Sequence, residues 1–242
     1  MTVTRLTIRA LLLRRRSLAL LLPILSVPLF AVIAIVRGDA SVDSQAIIVG
    51  RLLVTTVAPL VALVLALTAI GDERESGTIV YLVTSRLSRM QVAGEKALAA
   101  VVCAVVLLLP ALVSIVYLGS RLGVGADNIL RAVAGTVLVA AVYAAVFVAV
   151  GLVLRRALIA GIVYILIWEG AIATVAPSAE RVSLTAWGRA ITDGGLYGLE
   201  EGLVPTLSAT SGAVVLAVCT LAAVLLAGWR LGRRSCAPSS LR

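Results

Sequence analysis

Residues 129–154 read ILRAVAGTVLVAAVYAAVFVAVGLVL, an apolar run in which Arg131 is the only charged residue. The hydrocarbon core of a bilayer is about 30 Å thick, and an α-helix needs about 20 residues to cross it. The run is long enough and apolar enough for that. It predicts a transmembrane helix.

Similar apolar runs lie on both sides of this one, at 17–36, 47–70, 97–119, 157–175 and 211–229. Over the whole chain 61% of the residues are hydrophobic and 14% are charged, and the mean hydropathy is +1.12. A soluble domain is only about half apolar, and so little polar sequence could not cover these runs. We therefore predict an all-α polytopic membrane protein with six transmembrane helices, forming a single domain over residues 1–242.

The basic residues indicate which ends of the runs face the cytoplasm. The net charge is +9, but these residues lie at the ends of apolar runs, so we attribute them to membrane topology and not to nucleic-acid binding. One side carries Arg5, Arg9, Arg14, Arg15, Arg16, Arg74, Arg86, Arg89, Lys96, Arg155, Arg156, Arg230, Arg233, Arg234 and Arg242. The other side carries only Arg37, Arg51, Arg121, Arg131, Arg181 and Arg189. The positive-inside rule predicts cytoplasmic termini, and we expect the inner (plasma) membrane of a bacterial cell.

Two further pieces of the chain are predicted to have structure outside the spans. Residues 1–16 place Val3, Leu6, Ala10 and Leu13 at helical spacing, which predicts a basic helix resting on the inner leaflet, with a frayed tail as the alternative. Residues 176–210 form a long outer segment in which proline and glycine separate short amphipathic stretches. The first apolar run exceeds a secretory signal core, so we expect it to be retained.

Residues 71–96, between the second and third spans, carry the densest charge in the chain. Glu73 and Glu75 suit a helix N-terminus, where carboxylates meet the positive end of the helix dipole. Ser88 and Gln91 have capping-box spacing, which predicts that a second helix starts at Ser88 and runs into the third span. A short helix tied to two spans can pass on movement from a cytoplasmic partner, and a solvated charged loop is an equally good interpretation of these residues alone.

A resemblance favours the first interpretation. The run Glu73-Arg74-Glu75-Ser76-Gly77-Thr78, followed by Leu82, a break at Ser85, Arg89 and Lys96, resembles the signature of ABC transporter type 2 permeases. The resemblance implies a coupling helix that docks on the ATPase subunit through Glu73, Arg74, Glu75, Gly77, Thr78, Tyr81, Leu82, Arg86 and Arg89. The sequence departs from the family at Arg86, where such permeases commonly have proline, so a softer bend is expected there.

The family implies a dimer of permeases, identical or different, each bound to a cytoplasmic ATP-binding cassette subunit and exporting substrate. This chain has no G-x-x-x-x-G-K-[ST] loop, so ATP and Mg are expected in the partner, with no cofactor in this chain. The absence of histidine disfavours zinc sites and imidazole bases, and we expect no catalytic residue. A membrane scaffold or channel is the alternative; a membrane-embedded hydrolase is the least expected.

Glu169 is the only acidic residue well inside an apolar run, about 10 Å from its outer end at 1.5 Å per residue. A carboxylate there needs a partner or water, and an ionisable residue inside a membrane often marks a transport path. We predict an ion pair with Arg51 or Arg131, with a role in the path as the alternative. Because the spans offer few polar groups, we also expect an amphipathic or lipid-like substrate.

Overall fold

The computed structural model describes residues 20–75, 89–154, 156–172, 181–193 and 208–234. These residues are helical with short connections, and no β-strand occurs among them, which confirms the predicted all-α class. The α-helices are α1 (Leu21–Arg37), α2 (Val42–Ala46), α3 (Ala58–Glu75), α4 (Arg89–Arg121), α5 (Ala126–Val153), α6 (Ala157–Val163), α7 (Leu184–Asp193) and α8 (Ala209–Arg234). Two π-helical segments, π1 (Ile47–Val57) and π2 (Tyr164–Ile172), continue α2 and α6.

Four helical stretches in the described part are long and apolar enough to cross a membrane: Ile47–Ala69, Gly94–Arg121, Ala126–Val153 and Ala209–Trp229. They coincide with four of the predicted spans. The predicted spans 17–36 and 157–175 fall on the shorter apolar helices Leu21–Arg37 and Ala157–Ala171. Residues 17–19 and 173–175, like the predicted surface helix at 1–16, lie outside the described residues. The crossing of the membrane by six helices stays a prediction.

Helix α5 lies at the centre of the bundle and packs against α3, α4, α7 and α8. Its buried side chains are on all sides, among them Val139, Tyr143 and Phe147. A helix that is apolar all round has no preferred solvent face, so it is stable only when surrounded. Its many alanines let neighbouring helices approach closely. The polar Tyr143 is thereby held deep inside the protein.

The connection between α3 and α4 differs in part from the sequence prediction. Helix α3 continues through Glu75, so Glu73 and Glu75 lie at its end and not at the start of a new helix, which corrects our prediction. Gly71 does not end α3, because a single glycine inside a helix costs only about 1 kcal/mol. Helix α4 begins at Arg89 and runs unbroken to Arg121. The capping-box spacing of Ser88 and Gln91 predicts a helix in this place.

Helix α7 is a short helix within the predicted outer segment, and it packs against α5, α8 and π1. It begins after Ser183, whose Oγ accepts a hydrogen bond from the backbone N–H of Ala186 at 3.0 Å. A serine at this N-cap position satisfies one of the N–H groups that a helix start leaves unpaired. Ala186, Ala190 and Ile191 bury the face of α7 that meets the bundle.

Candidate functional site

Glu169 lies in π2 and is only 1% exposed. A π-helical segment widens the helix and shifts the direction of the side chains that follow, and such segments are frequent at functional sites. In this protein π2 and α5 carry Glu169 and Tyr143 to the same place. Tyr143 lies roughly 15 Å from the C-terminal end of α5 and roughly 25 Å from its N-terminal end at 1.5 Å per residue. The carboxylate is therefore deep within the bundle.

Five hydrogen-bond donors converge on the Glu169 carboxylate. Oε1 accepts from the Tyr143 hydroxyl at 2.5 Å, from the Tyr164 hydroxyl at 3.0 Å and from the backbone N–H of Leu184 at 3.1 Å. Oε2 accepts from the Thr185 hydroxyl at 2.6 Å and from the Ser183 hydroxyl. A carboxylate has about four lone-pair directions, so these donors occupy all of them. We call these five side chains, with the Leu184 N–H, the Glu169 cluster.

The cluster compensates the burial of the Glu169 carboxyl group with hydrogen bonds and the end of a helix. Leu184 is the first residue of α7, so its N–H is one of those that the helix cannot pair internally. The positive end of the α7 dipole faces the same carboxylate. Glu169 in return satisfies donors that would otherwise be buried without an acceptor, each at a cost of about 1–3 kcal/mol.

The arginines that the sequence suggested are not among these donors. Arg131 is exposed on α5, roughly 18 Å along the helix from Tyr143 at 1.5 Å per residue. It is therefore too far away to reach Glu169, and of the two predicted partners only Arg51 stays a prediction. Arg51 belongs to π1, but its side chain lies outside the described residues. Hydroxyl groups meet the carboxylate because a helix start brings two of them, with an N–H, to one point.

The predicted coupling residues fall at or beyond the ends of α3 and α4. Glu73, Arg74 and Glu75 are at the end of α3 and Arg89 is the first residue of α4; the side chains of all four lie outside the described residues. The remaining coupling residues, Gly77, Thr78, Tyr81, Leu82 and Arg86, lie outside them entirely.

Lys96, the last residue of the charged segment 71–96, has a buried side chain. It is 4% exposed, and its Nζ donates to the carbonyl of Ala69 at 3.1 Å. This hydrogen bond links α4 to α3 near the segment that connects them, so the two helices are held together at that end. The contact is the kind that a charged side chain makes when its apolar stem lies along a helix and its ammonium reaches a backbone oxygen.

Sequence reasoning singled out Glu169 but missed Tyr143, Tyr164, Ser183 and Thr185. One signal was available, because Ser183 precedes an apolar-periodic stretch and so has the pattern of a helix N-cap. The two tyrosines are ordinary members of apolar runs and carry no such signal. Within the described ranges no group of three or more histidine, cysteine or acidic residues could hold a metal ion. The arrangement suits a structural carboxylate and offers no free base or nucleophile at Glu169.

No protein family matches the chain, and no curated protein matches it either.

Proposed function

We propose that this chain is the permease subunit of an ATP-binding cassette exporter. It works as a homodimer or heterodimer in the plasma membrane, with both termini in the cytoplasm. The observation that carries the proposal is the charged segment 71–96, with its Glu73-to-Lys96 pattern, placed between two apolar helices of membrane length. A cytoplasmic partner that moves this segment moves both helices.

The packing of α3 and α4 supports this role. The two helices contact each other, and Lys96 on α4 bonds to the backbone of α3 at Ala69. Both helices also pack against the central helix α5. A displacement at their connection is therefore transmitted as a rigid movement into the centre of the bundle, since close-packed interiors deform little.

ATP hydrolysis is assigned to the partner. The sequence has no phosphate-binding loop, so the nucleotide and its Mg must be bound by a separate cassette subunit. The bundle interior is largely apolar, with few buried polar side chains among the described residues. An amphipathic or lipid-like substrate, which needs little polar solvation along its route, fits such a permease best.

Cross-linking tests the proposal directly. A single cysteine at Tyr81 or at Arg86, in a chain whose own cysteines are replaced by alanine, should be captured by a cassette subunit encoded with this gene. A cysteine at exposed Asp127, at the other end of the bundle, is the matched control and should not be captured. Capture at neither test position in membranes that hold both subunits would refute the proposal, and so would equal capture at all three.

A further inference from the structure

Helix α4 has an apolar face that no described part of the chain covers. Exposed side chains recur on this face every three or four residues, which places them on one side of the helix: Leu98, Val102, Val106, Leu109, Val113 and Val116. Side chains on the opposite side, such as Ala104, Leu108 and Ala111, are buried against the bundle. In a helix that crosses a membrane, the hydrocarbon chains of lipids cover such a face.

Tyr117 and Arg121 form a pair at the C-terminal end of this face. The Tyr117 hydroxyl accepts hydrogen bonds from Arg121 Nε at 3.3 Å and from Nη2 at 3.1 Å. The guanidinium carbon lies 5.4 Å from the centre of the tyrosine ring. Both side chains are exposed. Two of the five guanidinium N–H groups are used in this way, and three remain for an acceptor outside the pair.

The guanidinium of Arg121 is not engaged in ending the helix or in a described ion pair. A basic side chain in the last turn of a helix can bond to the free carbonyls there. In α4 the backbone does this: the carbonyl of Gly119 accepts from the N–H of Val124 at 3.0 Å, and that of Ser120 accepts another backbone N–H at 3.4 Å. The contacts described for the guanidinium are all with Tyr117. It therefore has no carboxylate partner within the described ranges.

The length of the helix places the pair at the level of the lipid headgroups. The apolar stretch Gly94–Arg121 has 28 residues, so at 1.5 Å per residue it is about 42 Å long. A bilayer with its headgroups is about 40–45 Å thick. The ends of such a helix across the bilayer lie in the two headgroup layers, where tyrosine is enriched and lipid phosphates are found. A guanidinium binds a phosphate through paired N–H groups.

We propose that Tyr117 and Arg121 form a binding site for the phosphate group of an anionic phospholipid, such as phosphatidylglycerol, whose acyl chains lie along the apolar face of α4. Tyr117 holds one edge of the guanidinium, and the free N–H groups donate to the phosphate oxygens. A zwitterionic lipid binds less well, because its ammonium group would lie near the guanidinium and be repelled by it. The site depends on neither a cassette subunit nor export.

Fluorescence quenching by brominated lipids tests the site at a single position. Val113 is 63% exposed and lies roughly 12 Å before Arg121 at 1.5 Å per residue, at the depth of the acyl chains. A fluorophore is attached to Val113→Cys in the full chain without its native cysteines, in phosphatidylcholine vesicles that contain brominated phosphatidylglycerol or brominated phosphatidylcholine. Phosphatidylglycerol should be preferred there by about 5-fold, which corresponds to about 1 kcal/mol for one arginine near an anionic lipid.

Matched variants separate the pair from the general charge of the protein. Arg121→Gln should remove the preference at Val113. Tyr117→Phe keeps the charge and loses the hydroxyl that orients it, so the preference should fall to about 2-fold. Arg131→Gln removes an exposed charge of α5 on the same predicted side and should leave the preference unchanged. A fluorophore at Val214 of α8, which is 62% exposed, should report no preference.

The absence of a preference for phosphatidylglycerol at Val113 would overturn the site, and so would a preference that survives Arg121→Gln. An equal preference at Val214, or an equal loss in Arg131→Gln, would also overturn it, because the lipid would then follow the overall charge. An unchanged preference in Tyr117→Phe would remove the tyrosine from the site. The measurement needs neither the ATPase subunit nor the substrate, so a negative result counts against the lipid site and not against the proposed export function.

Discussion

The segment 71–96 and the Glu169 cluster differ in how their charged residues are arranged along the chain. In the first, charged residues are neighbours in sequence, from Asp72 to Lys96. In the second, one carboxylate meets donors from α5, π2 and the start of α7, which lie 26, 5 and 15 residues from Glu169 in the sequence. The first is visible as a pattern, and the second exists only after folding. We expect the segment to serve contacts with another protein and the cluster to serve the fold of this chain.

The largest loss of stability is expected from removing the Glu169 carboxyl group at the centre of the cluster. Glu169→Ala leaves several buried donors without an acceptor, so it should lower the free energy of unfolding by roughly 3–5 kcal/mol. Chemical unfolding in detergent, followed by circular dichroism, measures this. Glu73→Ala, in the charged segment, is the control and should change stability by less than about 0.5 kcal/mol. Similar losses in both variants would remove the distinction between the two regions.

A substitution in the segment 71–96 should change the affinity for a partner and leave the free energy of unfolding nearly unchanged. Glu75→Arg should weaken binding of the cassette subunit by about 10-fold to 100-fold, or roughly 1.4–2.8 kcal/mol, because it reverses a charge in the predicted docking segment 71–96. Its unfolding should stay within about 0.5 kcal/mol of the unmodified protein. Titration of the purified protein with the proposed cassette subunit measures the affinity, with exposed Arg121→Glu as a control. An unchanged affinity in Glu75→Arg would contradict the docking role.

These contrasts also show what could be predicted from the sequence. The helical class and the long apolar helices follow from runs such as 129–154, because helix length and hydropathy are local properties. That Glu169 is buried and partnered also follows, since an isolated charge in an apolar run is too costly. Its partners do not follow. Charge balance suggested Arg51 or Arg131, whereas the described donors are hydroxyl groups and the backbone N–H of Leu184. The packing of several elements around α5 brings these donors to the carboxylate, and no local pattern in the sequence reveals that packing.

Replacing a glycine by alanine should have opposite effects on stability in α7, whose start forms part of the Glu169 cluster, and in the segment 71–96. Gly188→Ala places a methyl group 2.1 Å from Val139 Cγ2 and 3.3 Å from Val54 Cγ1. Both valines are fully buried and stiff, so we expect a loss of about 2–3 kcal/mol from overpacking. Gly94→Ala in α4 meets only Val224 Cγ1 at 4.0 Å and should stabilise the helix by up to about 1 kcal/mol. Unfolding in detergent compares them, and a neutral Gly188→Ala would show that α7 packs less closely than described.

The smallest effect separates two buried threonines that differ in their hydrogen-bond partners. Thr185 and Thr136 are both fully buried. Thr185 donates to Glu169 at 2.6 Å, whereas Thr136 donates at 2.8 Å to Ala132 O in its own helix. Valine keeps the shape of threonine and removes only the hydroxyl.

Thr185→Val should therefore cost about 1 kcal/mol, between the average of about 0.6 and the maximum of about 1.7 measured for side-chain hydrogen bonds in a membrane protein. Thr136→Val should cost less than about 0.5 kcal/mol, because α5 continues past Ala132 and its carbonyl keeps the helical N–H that already bonds to it. The Thr185 hydroxyl also lies 3.1 Å from the Ser183 hydroxyl, so paired unfolding curves of the two variants separate the bonds of the Thr185 hydroxyl within the cluster from the burial of a threonine. If Thr136→Val costs as much as Thr185→Val, the Thr185 hydroxyl contributes no more to stability than the hydroxyl of an ordinary buried threonine.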